Sequence, residues 1–191
     1  MVNRILIIVL IVAATVGYGI YQKNLLDKQL TGAERKQTVL ASLPDTSFYT
    51  LDEAKFGLHD VFADGSKSLL VVHFWGTWCA PCEAELPELV AFMKRFENLQ
   101  EVKFLLVAVN DELAKVQKHI NSVALPNADI VWLIDNDNVH RTVFGTTRVP
   151  ETFVFGKDLR TLKKYLGPQE WNKPMFFRAF DEFMQISNSK L

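Results

Sequence analysis

The chain has 191 residues, with 21 Lys and Arg against 22 Asp and Glu, so its net charge of −1 argues against nucleic acid as the main partner. Hydrophobic residues make up 49% and charged residues 23%, which is typical of a packed domain and excludes a disordered chain. Its two cysteines are too few for an all-cysteine zinc site or a disulfide-rich scaffold, but they can pair with each other.

The N-terminal segment predicts a membrane anchor over residues 1–22. Residues 5–16, ILIIVLIVAATV, are apolar except for Thr15, and the 18 positions between Arg4 and Lys23 carry no charge. At ~1.5 Å per residue these positions span about 27 Å, roughly one hydrocarbon core. The alternative is a cleaved signal peptide, although no A-x-A site follows the apolar run. We therefore expect a single-pass protein of the inner membrane, with its soluble domain in the periplasm or extracytoplasmic space.

A polar tether over residues 23–40 is expected to join this anchor to a folded domain over residues 41–191. Apolar runs predict strands at Leu69–Trp75, Val102–Val109, Ile130–Ile134, Thr152–Phe155 and Thr161–Leu166. Apolar residues spaced by three and four predict helices after the first strand, over Glu112–Ser122, and from Pro174 onward. This order of elements favours an α/β fold, a mixed sheet with helices on both faces.

The chemistry is concentrated in the sequence Trp78-Cys79-Ala80-Pro81-Cys82, which lies between a buried strand and a helix. Cys79 is expected at the helix N-terminus, where unpaired N–H groups and the helix dipole stabilise a thiolate. Cys82 follows one turn later, near enough to close a disulfide. We therefore expect Cys79 to attack a disulfide of another protein and Cys82 to resolve the mixed disulfide.

Two structural interpretations of this pair compete with the redox one. A lone C-x-x-C is half of a zinc site, but the sequence has no second pair, and its four His have no ligand-like spacing to the cysteines. A purely structural disulfide would close so short a loop that it would remove little unfolded-state entropy. The redox interpretation is therefore favoured.

The segment VVHFWGTWCAPCEAELPEL resembles the active-site segment of membrane-anchored thioredoxin-like proteins of the TlpA/ResA/DsbE (CcmG) group. Pro87 stands where this group carries a helix-kinking proline, and the sequence VPETF around Pro150 is similar to its cis-proline loop. A trans-proline in an ordinary turn is the alternative for Pro150. The resemblance implies a thioredoxin-like fold, with a central mixed sheet, an N-terminal β-hairpin extension, and a TlpA/ResA-type central insertion between Val109 and Pro150.

Two ionisable residues near the cysteines are candidates for tuning them. Glu85 follows Cys82 by three positions and matches the acidic residue that the group carries close to its active site; its carboxylate would oppose thiolate formation or accept a proton. A solvated surface glutamate is the alternative. His73 stands where thioredoxin has Asp and the group commonly has Asn. We hypothesise that His73 exchanges a proton with Cys82 through a water, because imidazole titrates near neutral pH; the alternative is a core histidine bonded to backbone.

Substrate contacts are expected from both sides of the cysteine pair. Trp75 and Trp78 flank the pair and are expected to pack around it and supply an apolar docking surface. The resemblance places Val149 and Glu151 in the cis-proline loop beside the pair, where the Glu151 side chain either contacts partners or is an exposed loop carboxylate.

These observations predict an extracytoplasmic thiol-disulfide oxidoreductase that reduces protein disulfides. The resemblance suggests apocytochrome c during cytochrome c maturation, or a copper-site assembly protein, as the substrate. It also implies a membrane thiol transporter of the DsbD/CcdA type as electron donor. No metal and no dissociable cofactor are expected, because the redox-active Cys79–Cys82 disulfide carries the electrons. The alternatives are a disulfide oxidase or isomerase of the same fold, and a non-enzymatic chaperone that holds Cu(I) on both thiolates.

Overall fold

The computed structural model describes residues 15–22 and 40–189. Helix α1 covers residues 15–22, and among the described residues no helix is both long and apolar enough to cross a membrane. Residues 1–14 of the predicted anchor and residues 23–39 of the predicted tether lie outside the described part of the chain. A separate compact unit begins at Leu40.

One mixed sheet with helices around it forms this unit. The strands are β1 Ser47–Thr50, β2 Lys55–Gly57, β3 Leu69–Trp75, β4 Val102–Val109, β5 Asp129–Asp135, β6 Glu151–Gly156 and β7 Thr161–Leu166. The helices are α2 Ala80–Lys94, α3 Leu113–Ile120, α4 Val139–Thr142 and α5 Pro174–Asn188, with a 3-10 helix at His59–Phe62. The seven strands lie in the order β2-β1-β5-β4-β3-β6-β7.

The strand pairing confirms the predicted mixed sheet. Strands β3, β4 and β5 are parallel neighbours, whereas β6 is antiparallel to both β3 and β7. Strands β1 and β2 form the N-terminal hairpin, and β1 also pairs antiparallel with β5. The stretch between Val109 and Pro150 contains α3, β5 and α4, so the expected insertion adds one strand to the sheet.

Strand β3 positions the site because both of its faces are buried. Alternate residues from Leu69 to Trp75 pack in a core cluster with helices α2 and α5, and the residues between them pack in a second cluster on the other face. Since side chains alternate along a strand, His73 falls on the face that carries α2. The register of β3 therefore directs His73 toward the helix that begins at the cysteine pair.

The predicted strands agree with the observed ones to within one residue at each end, and the predicted Glu112–Ser122 helix is observed as the slightly shorter α3. Helix α4 and the 3-10 helix were not predicted from the sequence. Each has four residues, too few for a 3.6-residue apolar period to show in the sequence.

Candidate active site

Cys79 and Cys82 form a disulfide at the N-terminus of α2, with their Cα atoms 5.3 Å apart. Cys79 is the N-cap residue in extended backbone, and Pro81 occupies the first helical turn, where its missing N–H removes no helical hydrogen bond. The backbone N–H of Cys82 donates to Sγ of Cys79 at 3.3 Å. Such donors and the helix dipole stabilise a thiolate on Cys79 once the disulfide is reduced.

The two cysteines are almost equally buried in this oxidised state. Cys79 is 4% exposed and Cys82 is 3% exposed. Exposure therefore does not distinguish the two cysteines. What distinguishes Cys79 is its N-cap position and its contact with the loop before β6.

The loop before β6 lies against the cysteine pair. The Val149–Pro150 peptide bond is cis, so Pro150 does not belong to an ordinary trans turn. The carbonyl oxygen of Val149 lies 3.7 Å from Sγ of Cys79, and the carbonyl oxygen of Pro150 accepts the N–H of Gly167 at 2.9 Å. The structure thus brings Val149 and Pro150 together with Cys79, although they are distant in sequence.

The two predicted docking tryptophans differ in exposure. Trp78 is 57% exposed, and its Nε1–H donates to the carbonyl oxygen of Val109 at 3.0 Å. Its indole lies over Gly76, where a Cβ would stand only 2.6 Å from Nε1. Trp75 is 3% exposed and packs edge-on against Trp132, so the expectation that it supplies a docking surface is wrong. Strand β3 is buried on both faces and directs Trp75 into the core.

Glu151 is a second correction, because its carboxylate is buried and cannot meet a partner at the surface. It is the first residue of β6 and is 4% exposed. Its Oε1 lies 3.0 Å from Nζ of Lys164 on the neighbouring strand β7, and its Oε2 accepts the hydroxyl of Thr146. Glu151 therefore links Thr146, which precedes the cis bond in the chain, to Lys164, which follows it on β7.

Glu85 lies on the buried face of α2, as Cys82 does, and is not a solvated surface residue. Its Oε2 accepts two hydrogen bonds, from the backbone N–H of Gln169 at 2.7 Å and from Nε1–H of Trp171 at 3.2 Å. Burial raises the pKa of Glu85 from an ordinary 4.5 to about 7, against the opposing effect of these two donors. The carboxyl group therefore gains or loses its proton near neutral pH.

His73 faces Glu85 from strand β3. Its Nε2 lies 3.6 Å from Oε1 of Glu85, and its Nδ1 lies 2.9 Å from the hydroxyl of Thr152 on β6. Burial lowers the pKa of His73 to about 3, so the imidazole is neutral at neutral pH. The premise that His73 titrates near neutrality is therefore wrong, and Glu85 is the group that does so.

Three residues that surround Glu85 and His73 were not predicted as site residues from the sequence. Thr152, Gln169 and Trp171 contact His73 or Glu85 from β6 and from the segment before α5. Trp171 is fully buried, and its indole N–H donates to the carboxylate of Glu85. Gln169 and Trp171 lie 84 and 86 positions after Glu85 in the chain. No local sequence pattern could therefore have predicted their contact with it.

The arrangement combines a redox-active pair at a helix N-terminus, a cis-proline loop beside it, and a buried acid that titrates near neutral pH. It can carry out thiol-disulfide exchange with the proton transfer that exchange requires. Within residues 15–22 and 40–189, no three His, Cys, Asp or Glu side chains are grouped so that they could hold a metal ion.

The fold and this site define a thiol-disulfide oxidoreductase of the thioredoxin-like class. The chain belongs to the Redoxin family, whose sequence description matches residues 38–179. It is 30% identical over 151 residues to the thioredoxin-like protein YneN of Bacillus subtilis (strain 168), covering 78% of this chain and 79% of YneN. It is 27% identical over 170 residues to the thiol-disulfide oxidoreductase ResA of Bacillus thuringiensis (strain Al Hakam), covering 87% of this chain and 90% of ResA.

A solved structure agrees with the observed fold. The thiol:disulfide interchange protein of the thioredoxin family from Chlorobium tepidum TLS superposes with a TM-score of 0.57 at 22% identity, over 77% of this chain and 95% of that chain. These likenesses confirm that the chain is TlpA/ResA/DsbE-like, as the motif around the cysteines indicated.

Proposed function

We propose that this oxidoreductase reduces disulfides of other proteins outside the cytoplasm. The observation that carries the proposal is the Cys79–Cys82 disulfide at the start of α2, next to an acid whose pKa is about 7. Apocytochrome c and a copper-site assembly protein are the proposed clients, on the resemblance to the TlpA/ResA/DsbE group. The apolar N-terminal sequence supports an inner-membrane anchor with the domain on the periplasmic or extracytoplasmic side.

The first step is attack by the Cys79 thiolate on one sulfur of the client disulfide. A mixed disulfide forms between Cys79 and the client, the client S–S bond breaks, and the first client sulfur leaves as a thiolate that takes a proton. Trp78 is exposed and immediately precedes Cys79, and the Val149 carbonyl oxygen lies 3.7 Å from the reacting sulfur, so both are proposed to contact the client.

The second step needs a base for Cys82. We assign this role to ionised Glu85, because it lies three residues along the same helix face and takes up a proton near pH 7. The Cys82 thiolate then attacks Sγ of Cys79, the Cys79–Cys82 disulfide closes, and the second client sulfur is released. Two electrons pass from the dithiol to the client, and a membrane thiol transporter of the DsbD/CcdA type is proposed to return them.

His73 is proposed to act through Glu85 as a positioning residue. Oε2 of Glu85 already accepts two N–H groups, so a proton on this carboxyl group belongs on Oε1, which faces Nε2 of neutral His73. His73→Asn is expected to shift the pH at which the exchange rate changes. A pH–rate profile that coincides with the wild type would remove His73 from the mechanism.

The proposed client reaction is tested by trapping. Cys82→Ser removes the resolving thiol, so the mixed disulfide on Cys79 should persist and mass spectrometry should identify the attached protein. Cys79→Ser is the matched control and should trap nothing. Equal trapping by both variants would contradict the assigned roles.

The direction of electron flow is tested by titrating the pair with glutathione. Strong oxidants and reductants with this motif differ by ~150 mV, which is about 7 kcal/mol for two electrons. We expect a potential on the reducing side of this range. A value near that of the strong oxidants would favour the oxidase and refute the reductase.

A further inference from the structure

A small groove of about 60 Å³ opens next to Trp78 and the residues that precede the cis-proline. Its lining residues include Trp78, His140, Arg141, Thr147, Arg148 and Val149; we call it the basic groove. Trp78 immediately precedes Cys79, and the Val149 carbonyl oxygen lies 3.7 Å from Sγ of Cys79. A client whose sulfur meets Cys79 therefore places its flanking residues at this groove, since one extended residue spans ~3.3 Å.

Arg141 and Arg148 supply the positive charge of the basic groove. Arg141 and Arg148 are exposed, and among the residues that the structure describes neither guanidinium group has a carboxylate partner. Asp135 is buried, and its carboxylate accepts the backbone N–H groups of Val139 and His140 and lies 2.5 Å from Nδ1 of His140, a groove residue.

Asp111 follows Asn110, which also lines the groove. Asp111 accepts the backbone N–H of Thr77 at 2.6 Å and its hydroxyl at 2.8 Å, so it holds the turn before the cysteines. The two guanidinium groups of the groove are exposed and form no ion pair with Asp135 or Asp111, so they can bind a client carboxylate.

We infer that the basic groove selects client segments that carry a carboxylate side chain within about two residues of the reactive cysteine. The inference rests on the proposed reduction of protein disulfides and names the client chemistry that this site prefers. An exposed charge pair contributes about threefold to an equilibrium constant, and the effects multiply, so two arginines give about a tenfold preference at low salt. The preference falls as salt rises, because exposed charges are screened beyond ~10 Å at 0.1 M.

The experiment compares two disulfide-bonded peptides that differ in one residue next to the cysteine, Glu in one and Gln in the other. The reduced wild-type protein should show a kcat/KM about tenfold higher for the Glu peptide at low salt, and a smaller ratio at high salt. The double variant Arg141→Gln/Arg148→Gln should bring the ratio near one. Arg178→Gln, at an exposed arginine on α5, is the matched control and should keep the wild-type ratio.

A charge reversal provides a second, independent measurement. Arg148→Glu should prefer a peptide with Lys at the same position over the Glu peptide, whereas the control Arg178→Glu should not. A wild-type ratio near one, or a ratio that survives the double variant, would overturn the inference while leaving the proposed reduction intact. Failure of the wild type to reduce either peptide would instead overturn the proposed function, and this inference with it.

Discussion

Replacing Glu85 with Gln should make the oxidised protein more stable at alkaline pH. The carboxylate is buried, with Oε2 bonded to Gln169 and Trp171, and Oε1 without a hydrogen-bond partner among the described residues. Glutamine keeps an oxygen for both donors and offers an N–H to Nε2 of His73, as the protonated acid does. Glu85→Gln therefore reproduces the protonated state at every pH and removes the ionised one.

The expected size follows from the raised pKa. Between pH 4.5 and about 7 the folded wild type binds a proton at Glu85 that the unfolded chain has released, so the free energy of unfolding falls as pH rises through this window. The stabilisation is fully present below pH 4.5 and is lost above pH 7. At ~1.4 kcal/mol per pKa unit, this amounts to about 3 kcal/mol.

The measurement is chemical denaturation of the oxidised wild type and the Glu85→Gln variant from pH 4 to pH 8. The difference in the free energy of unfolding between the two should grow from near zero to about 3 kcal/mol in favour of the variant. Titrating groups that do not interact with Glu85 occur in both proteins and cancel in this difference, whereas the charge of Glu88 is coupled to Glu85 and contributes least to its shift. Glu83→Gln, at an exposed position in the first turn of the same helix, is the matched control and should show no such growth.

One result would refute this argument. A Glu85→Gln difference that is flat from pH 4 to pH 8 would mean that burial does not hold the proton on Glu85. The proposed proton transfer from Cys82 near neutral pH would then lose its base.

Three other substitutions test the surroundings of the site. Trp171→Phe keeps a buried ring but removes one donor to Glu85, so the pKa of that acid should rise above about 7, and a pH–rate profile should shift upward with it. Thr152→Val leaves Nδ1 of buried His73 without its partner and should cost about 1–3 kcal/mol in denaturation experiments, unlike a surface Thr→Val change. Gly76→Ala places a methyl group where the exposed indole of Trp78 lies, so the tryptophan fluorescence and the kcat/KM for a protein client should both change. If neither value changed, the observed packing of Trp78 on Gly76 would be contradicted.

The sequence itself was sufficient to predict the main elements around the site. Leu69–Trp75 and Val102–Val109 are continuous apolar runs because these strands are buried on both faces. Such a run consists of consecutive residues, so the local sequence is enough to predict it. The position of Cys79 at a helix N-terminus followed in the same way from its place between a strand and a helical pattern.

The corrections concern residues whose surroundings come from distant parts of the chain. Glutamate is a residue type common in exposed loops, but Glu151 lies buried between β6 and β7, beside Lys164. Trp75 is next to the exposed loop, but it points into the core because it continues the alternation of β3. In both cases the local pattern was compatible with exposure, and packing between elements determined burial.

The sequence determined the chemistry available to this protein, because two cysteines one helical turn apart after a buried strand form a redox pair wherever the rest of the chain lies. The tertiary structure decided the protonation of that site. Removal from water shifts the pKa of both Glu85 and His73, and donors from the segment before α5 partly oppose the shift at Glu85. Desolvation arises only when distant segments close over a group, so no local pattern of residues can specify it.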